Sequence, residues 1–124
     1  MAAQVSIFLG EARDLVFTIK DLPETSCVEI TGWTLSFMVK KSVTDPDSAA
    51  YILATTTGGG ISISGVFNAT PSVNTQVATV TISSADTKYL QDGEPKYELK
   101  RTDNGSETVL AQGPFVLTRG VHRG

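Results

Sequence analysis

The sequence predicts an all-β protein, an immunoglobulin-like antiparallel β-sandwich of about seven to nine strands. Apolar and polar residues alternate with a period of two, turn residues interrupt the alternation roughly every eight to twelve positions, and Thr and Val fill the segments between the turns. A chain of 124 residues with 40% hydrophobic content fits one domain with one core. We divide it into an N-terminal arm or edge strand at 1–13, a sandwich at 14–119 and a C-terminal tail at 120–124.

Nine segments have the strand pattern. The strongest is Trp33–Lys40, because its alternation gathers four large side chains on one face that a helix would scatter around its circumference. The other predicted strands are Val5–Leu9, Asp14–Lys20, Ala50–Ala54, Gly60–Ile63, Gln76–Ile82, Lys96–Arg101, Glu107–Ala111 and Phe115–Thr118.

Turn and helix signals lie between these strands. Asn104-Gly105 predicts a hairpin turn, since both residues tolerate positive φ. One short helical turn is predicted near 84–90, with Ser83 or Ser84 as its N-cap and Asp86 near the positive end of the dipole. It is too short to form a layer, so we interpret it as a crossing between two sheets.

The inner faces of the strands predict the core, and burial of large apolar side chains supplies its stability. Cys27 is the only cysteine, so no internal disulfide forms and we expect it to be a small buried hydrophobe. The charged residues Lys96, Glu98 and Lys100 alternate with apolar ones and are expected on the solvent face of their strand. The predicted core residues are Phe17, Trp33, Leu35, Phe37, Tyr97, Leu99 and Phe115.

Composition and residue inventory argue against several function classes. A net charge of −3 offers no electrostatic footprint for nucleic acid, and no apolar run approaches the roughly 18 residues of a membrane span. The only histidine, His122, is in the tail, so we predict no catalytic site, no metal site and no cofactor. Asp45-Pro46-Asp47-Ser48 is interpreted as an acidic turn rather than a calcium loop, and Thr55–Gly60 as a loop tip rather than a phosphate cradle.

Six stretches share the order and spacing of a known family. They are DLVFTIKD at 14–21, ITGWTLSF at 30–37, GISI at 60–63, SADT at 84–87, YELKRT at 97–102 and LAQGPFVL at 110–117. Together they resemble small immunoglobulin-like domains of phage virions, similar to the N-terminal domain of the phage baseplate upper protein.

The resemblance implies a non-enzymatic structural protein of a tailed-phage virion, either a capsid decoration or a tail or baseplate adaptor. Baseplate members continue into stalk or receptor-binding domains whereas this sequence ends at Gly124, so we lean towards the head. The expected partners are other phage structural proteins, namely the major capsid protein or a tail or baseplate hub, in a symmetric multi-copy assembly. The expected location is the virion, assembled in the bacterial host cytoplasm.

Sheet edges and chain ends are the expected contact elements, because edges accept added strands. The first candidates are Val5, Ile7, Phe8 and Leu9, since an apolar strand so near a terminus needs a partner; the loops at 44–50 and 68–74 come next. We expect deletion of residues 1–9 to abolish incorporation into particles and to leave the sandwich folded.

The alternative function is a carbohydrate-binding immunoglobulin-like module of a fibre or surface protein. It needs exposed aromatic rings on which a sugar can stack, and Trp33, Tyr89 and Tyr97 are the candidates. The alternation assigns Trp33 and Tyr97 to the core, which favours the structural reading.

Overall fold

The structure, a computed structural model, describes residues 4–20, 25–42 and 44–119. Within these ranges eight strands form two sheets with one helical turn, α1 (Ser84–Thr87), and one 3-10 turn (Asp47–Ala49), which confirms the predicted all-β sandwich. The strands are β1 (Val5–Phe8), β2 (Arg13–Phe17), β3 (Leu35–Lys40), β4 (Ile52–Thr55), β5 (Ile61–Ser64), β6 (Val77–Ile82), β7 (Lys96–Arg101) and β8 (Thr108–Thr118).

The larger sheet has the strand order β1-β8-β7-β3-β4 and the smaller one β2-β6-β5. This is the strand distribution of an immunoglobulin-like sandwich whose first strand lies against the last. The prediction of antiparallel pairing holds for every pair but one. β1 runs parallel to β8, with Val5 opposite Phe115. The first and last strands of the domain therefore close one side of the larger sheet.

The two strands predicted at Glu107–Ala111 and Phe115–Thr118 are a single strand, β8. Pro114 lies inside it, although proline lacks the amide that a central strand uses. The amide of Phe115 donates to the Pro95 carbonyl at 2.7 Å on the β7 side, so the nitrogen of Pro114 faces the other side. Pairing with β1 begins only at Phe115, and the missing amide therefore costs no ladder hydrogen bond.

Four aromatic rings lie at the centre of the core, where the two sheets face each other. Phe37 and Tyr97 stack with their centroids 5.7 Å apart, and Phe17 and Phe115 lie 6.3–6.4 Å from them. Such offset and edge-on pairs stabilise a core beyond the area they bury. Six of the seven predicted core residues are buried: Phe17, Leu35, Phe37, Tyr97, Leu99 and Phe115.

Trp33 is the exception, because it is only half-buried at the end of the sandwich. β3 begins two residues later, at Leu35, and the Trp33 amide closes a turn onto the Ile30 carbonyl at 3.0 Å. Gly32 has a φ of +78° in this turn, which glycine adopts without strain. The strand alternation does not yet apply at Trp33, and its ring meets only the rim of the core.

The predicted helical turn near 84–90 forms over Ser84–Thr87 and is anchored at both ends. The Asp86 carboxylate accepts the Ser83 amide at 2.7 Å, as expected for an acidic residue in the first turn. The Thr87 side chain is fully buried, and its hydroxyl accepts the Gly10 amide at 2.9 Å. The segment that follows β1 is thereby attached to the chain between β6 and β7.

Candidate functional site

The predicted contact strand at the N-terminus is mostly part of the fold. Ile7 is 2% exposed and belongs to the core, whereas Val5 and Leu9 are partly buried against it. Only Phe8, at 56% exposed, presents its side chain to solvent. The partner that this apolar strand requires is β8 of the same chain. Ile7 is therefore a core residue without exposed surface for a partner. Deleting residues 1–9 would remove a strand of the larger sheet, and its effect on folding and on incorporation into particles stays a prediction.

The outer edge of β1 is also closed by side chains from the segment that follows it. The Ser6 carbonyl accepts a hydrogen bond from the Arg13 guanidinium. The Phe8 amide donates to the Glu11 carboxylate at 2.9 Å, and the Phe8 carbonyl accepts the Glu11 amide at 3.0 Å. With these groups occupied, little backbone remains on this edge for an added strand.

The two loops named as further contact candidates differ in their surroundings. The loop at 68–74 is bonded to itself, with the Asn68 amide donating to the Asn74 side chain at 2.9 Å. The loop at 44–50 contains the 3-10 turn, and its Asp47 forms an ion pair with Lys40 on β3. This second loop therefore borders the outer face of the larger sheet.

That outer face contains a groove of about 440 Å³ across β3, β7 and β8. The alternation that buries Leu35, Phe37 and Val39 turns their neighbours outward. Cross-strand register then places Met38 opposite Glu98, and Glu98 opposite Gln112. The groove floor is partly apolar, and its other lining side chains include Ser36, Lys40, Lys96, Lys100 and Pro114.

Charge on this face is unevenly balanced. Lys40 lies directly opposite Lys96, and like charges in such cross-strand positions repel. Asp47 pairs with Lys40, but Lys96 and Lys100 form no ion pair with any residue in the described ranges. Three lysines against two carboxylates therefore line the groove, in a chain whose net charge is −3.

The Lys40–Asp47 pair fixes the wall of the groove. A hydrogen bond from Lys40, with its positive charge, holds the pKa of the Asp47 carboxyl below its ordinary value of 3.8. The same ammonium donates to the Asp45 carbonyl at 3.1 Å. Lys40 is thus committed to this loop, whereas Lys96 and Lys100 have no ion-pair partner in the described ranges, and the charge of Lys100 contributes to the lowered pKa of Asp47.

The aromatic residues considered for sugar stacking do not come together. Tyr97 is 2% exposed in the core, and Tyr89 is 87% exposed after α1. The Arg101 guanidinium lies over the Trp33 ring at 3.9 Å from its centroid and thus covers one of its faces. The three rings therefore form no shared platform.

Asp103 holds Arg101 in that position. Its carboxylate accepts from the Arg101 Nε at 2.7 Å and from the Thr34 amide at 3.0 Å. These two hydrogen bonds, the one from Arg101 being the stronger influence, hold the pKa of Asp103 below its ordinary value of 3.8. The cluster is a structural clamp at the end of the sheet.

The remaining sequence predictions concern Cys27, His122, a metal site and a membrane span. Cys27 is buried, as expected, and its amide donates to the Ala69 carbonyl at 2.9 Å. His122 lies outside the described residues. In the part of the chain that the structure describes, no three His, Cys, Asp or Glu residues are placed to hold a metal ion together. Nor is any helix there long and apolar enough to cross a membrane.

The sequence predicted the solvent face of β7 but not the groove that β3, β7 and β8 form together on that face. Lys40 and Lys96 are 56 positions apart, and only the register of β3 on β7 makes them neighbours. Gln112 and Pro114 fell in the gap between two predicted strands that are in fact one strand, β8.

No protein-family model and no curated protein matches this chain.

Proposed function

We propose that this chain is a non-enzymatic docking domain of a tailed-phage virion, an accessory component of the capsid or an adaptor of the tail or baseplate. The groove on the outer face of the larger sheet is the docking surface in this proposal. Its main support is that Lys96 and Lys100 form no ion pair within the described ranges and lie beside the partly apolar floor around Met38.

This surface suits a protein that presents carboxylates around an apolar contact. Asp47 already pairs with Lys40, so a carboxylate of the partner would meet Lys96 and Lys100, and opposite charges across an interface favour the encounter. Gln112 is exposed beside the lysines and offers an amide for hydrogen bonds. The partner class is therefore an acidic surface of another structural protein.

The assignment to a virion has a separate support, namely the resemblance of six stretches between residues 14 and 117 to phage virion domains. In a symmetric particle, many weak contacts of this kind act together and the assembly holds although each contact is modest. The proposed partners are the major capsid protein or a tail or baseplate hub, and the proposed location is the particle.

The proposal is tested with particles of the encoding phage assembled without this gene. Tagged protein is added, the particles are sedimented, and the bound fraction is measured for wild type and for Lys96→Glu with Lys100→Glu. We expect wild type to bind and the double variant to bind at least about tenfold more weakly, because both charges become repulsive.

The matched control is Lys20→Glu with Lys88→Glu, which changes the net charge equally at two exposed lysines that do not line the groove. It should bind as wild type does. Equal binding by the groove variant and wild type would reject the groove, and absence of wild-type protein from particles would reject the virion assignment. Binding of wild type to an immobilised glycan instead would favour the carbohydrate-binding alternative.

A further inference from the structure

The two sheets leave four edge strands in the described ranges, and three of them are obstructed. β1 is closed by Glu11 and Arg13, as shown above. On β4, the Thr55 amide and carbonyl are both bonded to Gly59 at 3.0 Å, so its own hairpin occupies the end of that edge and only Leu53 keeps open outward backbone groups. β2 contains the charged residues Arg13 and Asp14, and charge on an edge opposes added strands.

The fourth edge strand, β5, has open backbone groups. The Thr81 amide donates to the Gly60 carbonyl at 2.8 Å, and the Thr75 amide donates to the Val66 carbonyl at 3.0 Å. The backbone groups of alternate residues in an antiparallel strand point to the same neighbouring strand. Since those of Gly60 and Val66 point to β6, those of Ser62 and Ser64 point to β6 as well. The amide and carbonyl of Ile63 therefore point away from the sheet, and no hydrogen bond within the described residues reaches them.

The sequence on both sides of β5 is uncharged over a long stretch. Residues 48–85 contain no Asp, Glu, Lys, Arg or His, and this segment includes β4, β5 and β6. β5 itself reads Ile-Ser-Ile-Ser, with neither proline nor a bulge to interrupt it. Ser62 and Ser64 are exposed, and their hydroxyls form no hydrogen bond with other described residues. Apart from its short length, the edge thus lacks the charges, prolines and bulges that usually prevent strand addition.

We propose that β5 of a second copy of this chain pairs with this edge, antiparallel and centred on Ile63. The two three-stranded sheets then join into one continuous six-stranded sheet. In this register each Ile63 faces its own counterpart, and Ser62 lies opposite Ser64 of the other copy. A strand paired with itself in this way has the two-fold symmetry of most homodimers.

The uncharged edge favours a second copy over a different protein. Two copies, each with a net charge of −3, repel each other most where their charged surfaces approach. Residues 48–85 themselves bring no charged side chain to the junction, and Asp86, which shares a surface cavity with Ser62, is the charged residue that follows them. The same edge offers no charge by which a different partner could be selected, whereas the lysine groove on the larger sheet does. This inference does not depend on the proposed docking function.

Sedimentation velocity over a range from about 10 µM to about 1 mM tests it on the full chain. We expect the weight-average mass of wild type to rise from 13.2 kDa towards twice that value. Ser62→Lys with Ser64→Lys places like charges opposite each other across the junction and should stay at 13.2 kDa throughout. Mixing it with Ser62→Glu and Ser64→Glu should restore a one-to-one complex.

Ser72→Lys with Ser106→Lys is the matched control, since both serines are exposed and lie outside the strands. It should associate as wild type does. Circular dichroism of all variants verifies that each is folded. A wild type that remains monomeric at the highest concentration overturns the proposal. So does a Ser62→Lys, Ser64→Lys variant that associates like wild type, or a control that loses association equally.

Discussion

β1 and β5 are both four-residue edge strands without a charged side chain, yet only one of them is closed. Their sequences, Val-Ser-Ile-Phe and Ile-Ser-Ile-Ser, are nearly the same in character. On β1 the outward backbone groups are bonded to Glu11 and Arg13, which follow the strand within a few residues. On β5 the nearest charged residues in the sequence are Asp47 and Asp86, and Ile63 stays open.

The residues beside an edge strand decide whether its outward backbone groups are available to another strand. β1 is apolar because its inner face belongs to the core, and not because it binds another molecule. The outward side chains of β5 are small and uncharged, and they leave its outward backbone groups accessible to another strand. A search for contact surfaces therefore gains more from the hydrogen bonds of the outward backbone groups than from the hydrophobicity of the strand.

The largest expected effect tests whether β1 is core or contact. Ile7→Ala should reduce the free energy of unfolding by about 2–5 kcal/mol, since Ile7 is 2% exposed among core residues. Phe8→Ala, at the neighbouring exposed position, should change it by about 0.5 kcal/mol or less. Urea denaturation measures both. If Phe8→Ala costs as much as Ile7→Ala, β1 is not held as the structure describes.

The contrast between these neighbours also shows what sequence alone could determine. Alternation located the eight strands, although it divided β8 into two. Six of the seven residues that it assigned to the core are buried, because such signals are local and repeat with a fixed period. Alternation could not determine that β1 pairs with β8 or that Lys40 faces Lys96. Both depend on register between distant segments, and a slip of one residue would exchange the two faces.

Trp33 shows a second limit of the sequence pattern. The alternation through Leu35 and Phe37 extends to Trp33 on paper, but the turn at Gly32 ends the strand geometry before it. Arg101 then covers the ring, through a contact between residues 68 positions apart. A pattern of period two indicates which side chains face the core only within the strand itself. Burial predicted for a residue next to a turn is therefore the part of the pattern that fails most easily.

A smaller effect on stability is expected when the outward backbone groups of β1 are freed, as they are on β5. Glu11→Ala removes the carboxylate that accepts the Phe8 amide, and the hydrogen exchange of that amide should become faster. Stability should fall by about 0.5–1.5 kcal/mol, the usual contribution of one hydrogen bond. Glu94→Ala, at another exposed glutamate, is the control. Unchanged exchange at Phe8 would mean that Glu11 does not close this edge.

The smallest effect concerns the same device at the end of the larger sheet, where the Asp103 carboxylate accepts the Thr34 amide as Glu11 accepts that of Phe8. The pKa of Asp103 is held below 3.8, chiefly by its hydrogen bond with Arg101. A carboxyl whose pKa is lower in the folded state stabilises the fold above its ordinary pKa, and this contribution is lost as the pH falls through the lower, folded value. Asp103→Asn keeps an acceptor for Thr34 but removes the charge.

Wild type should therefore have a higher Tm than Asp103→Asn at pH 7, and the difference should be smaller at about pH 3, because the stabilising charge on Asp103 is lost as the pH falls below its ordinary pKa and through the lower, folded one. Thermal unfolding followed by circular dichroism at the two pH values measures this. Ser106→Ala, in the same loop, should show no pH-dependent difference from wild type. A Tm difference that persists undiminished at low pH would show that the side-chain exchange, rather than the charge on Asp103, is responsible, and the parallel with Glu11 would then rest on hydrogen-bond geometry alone.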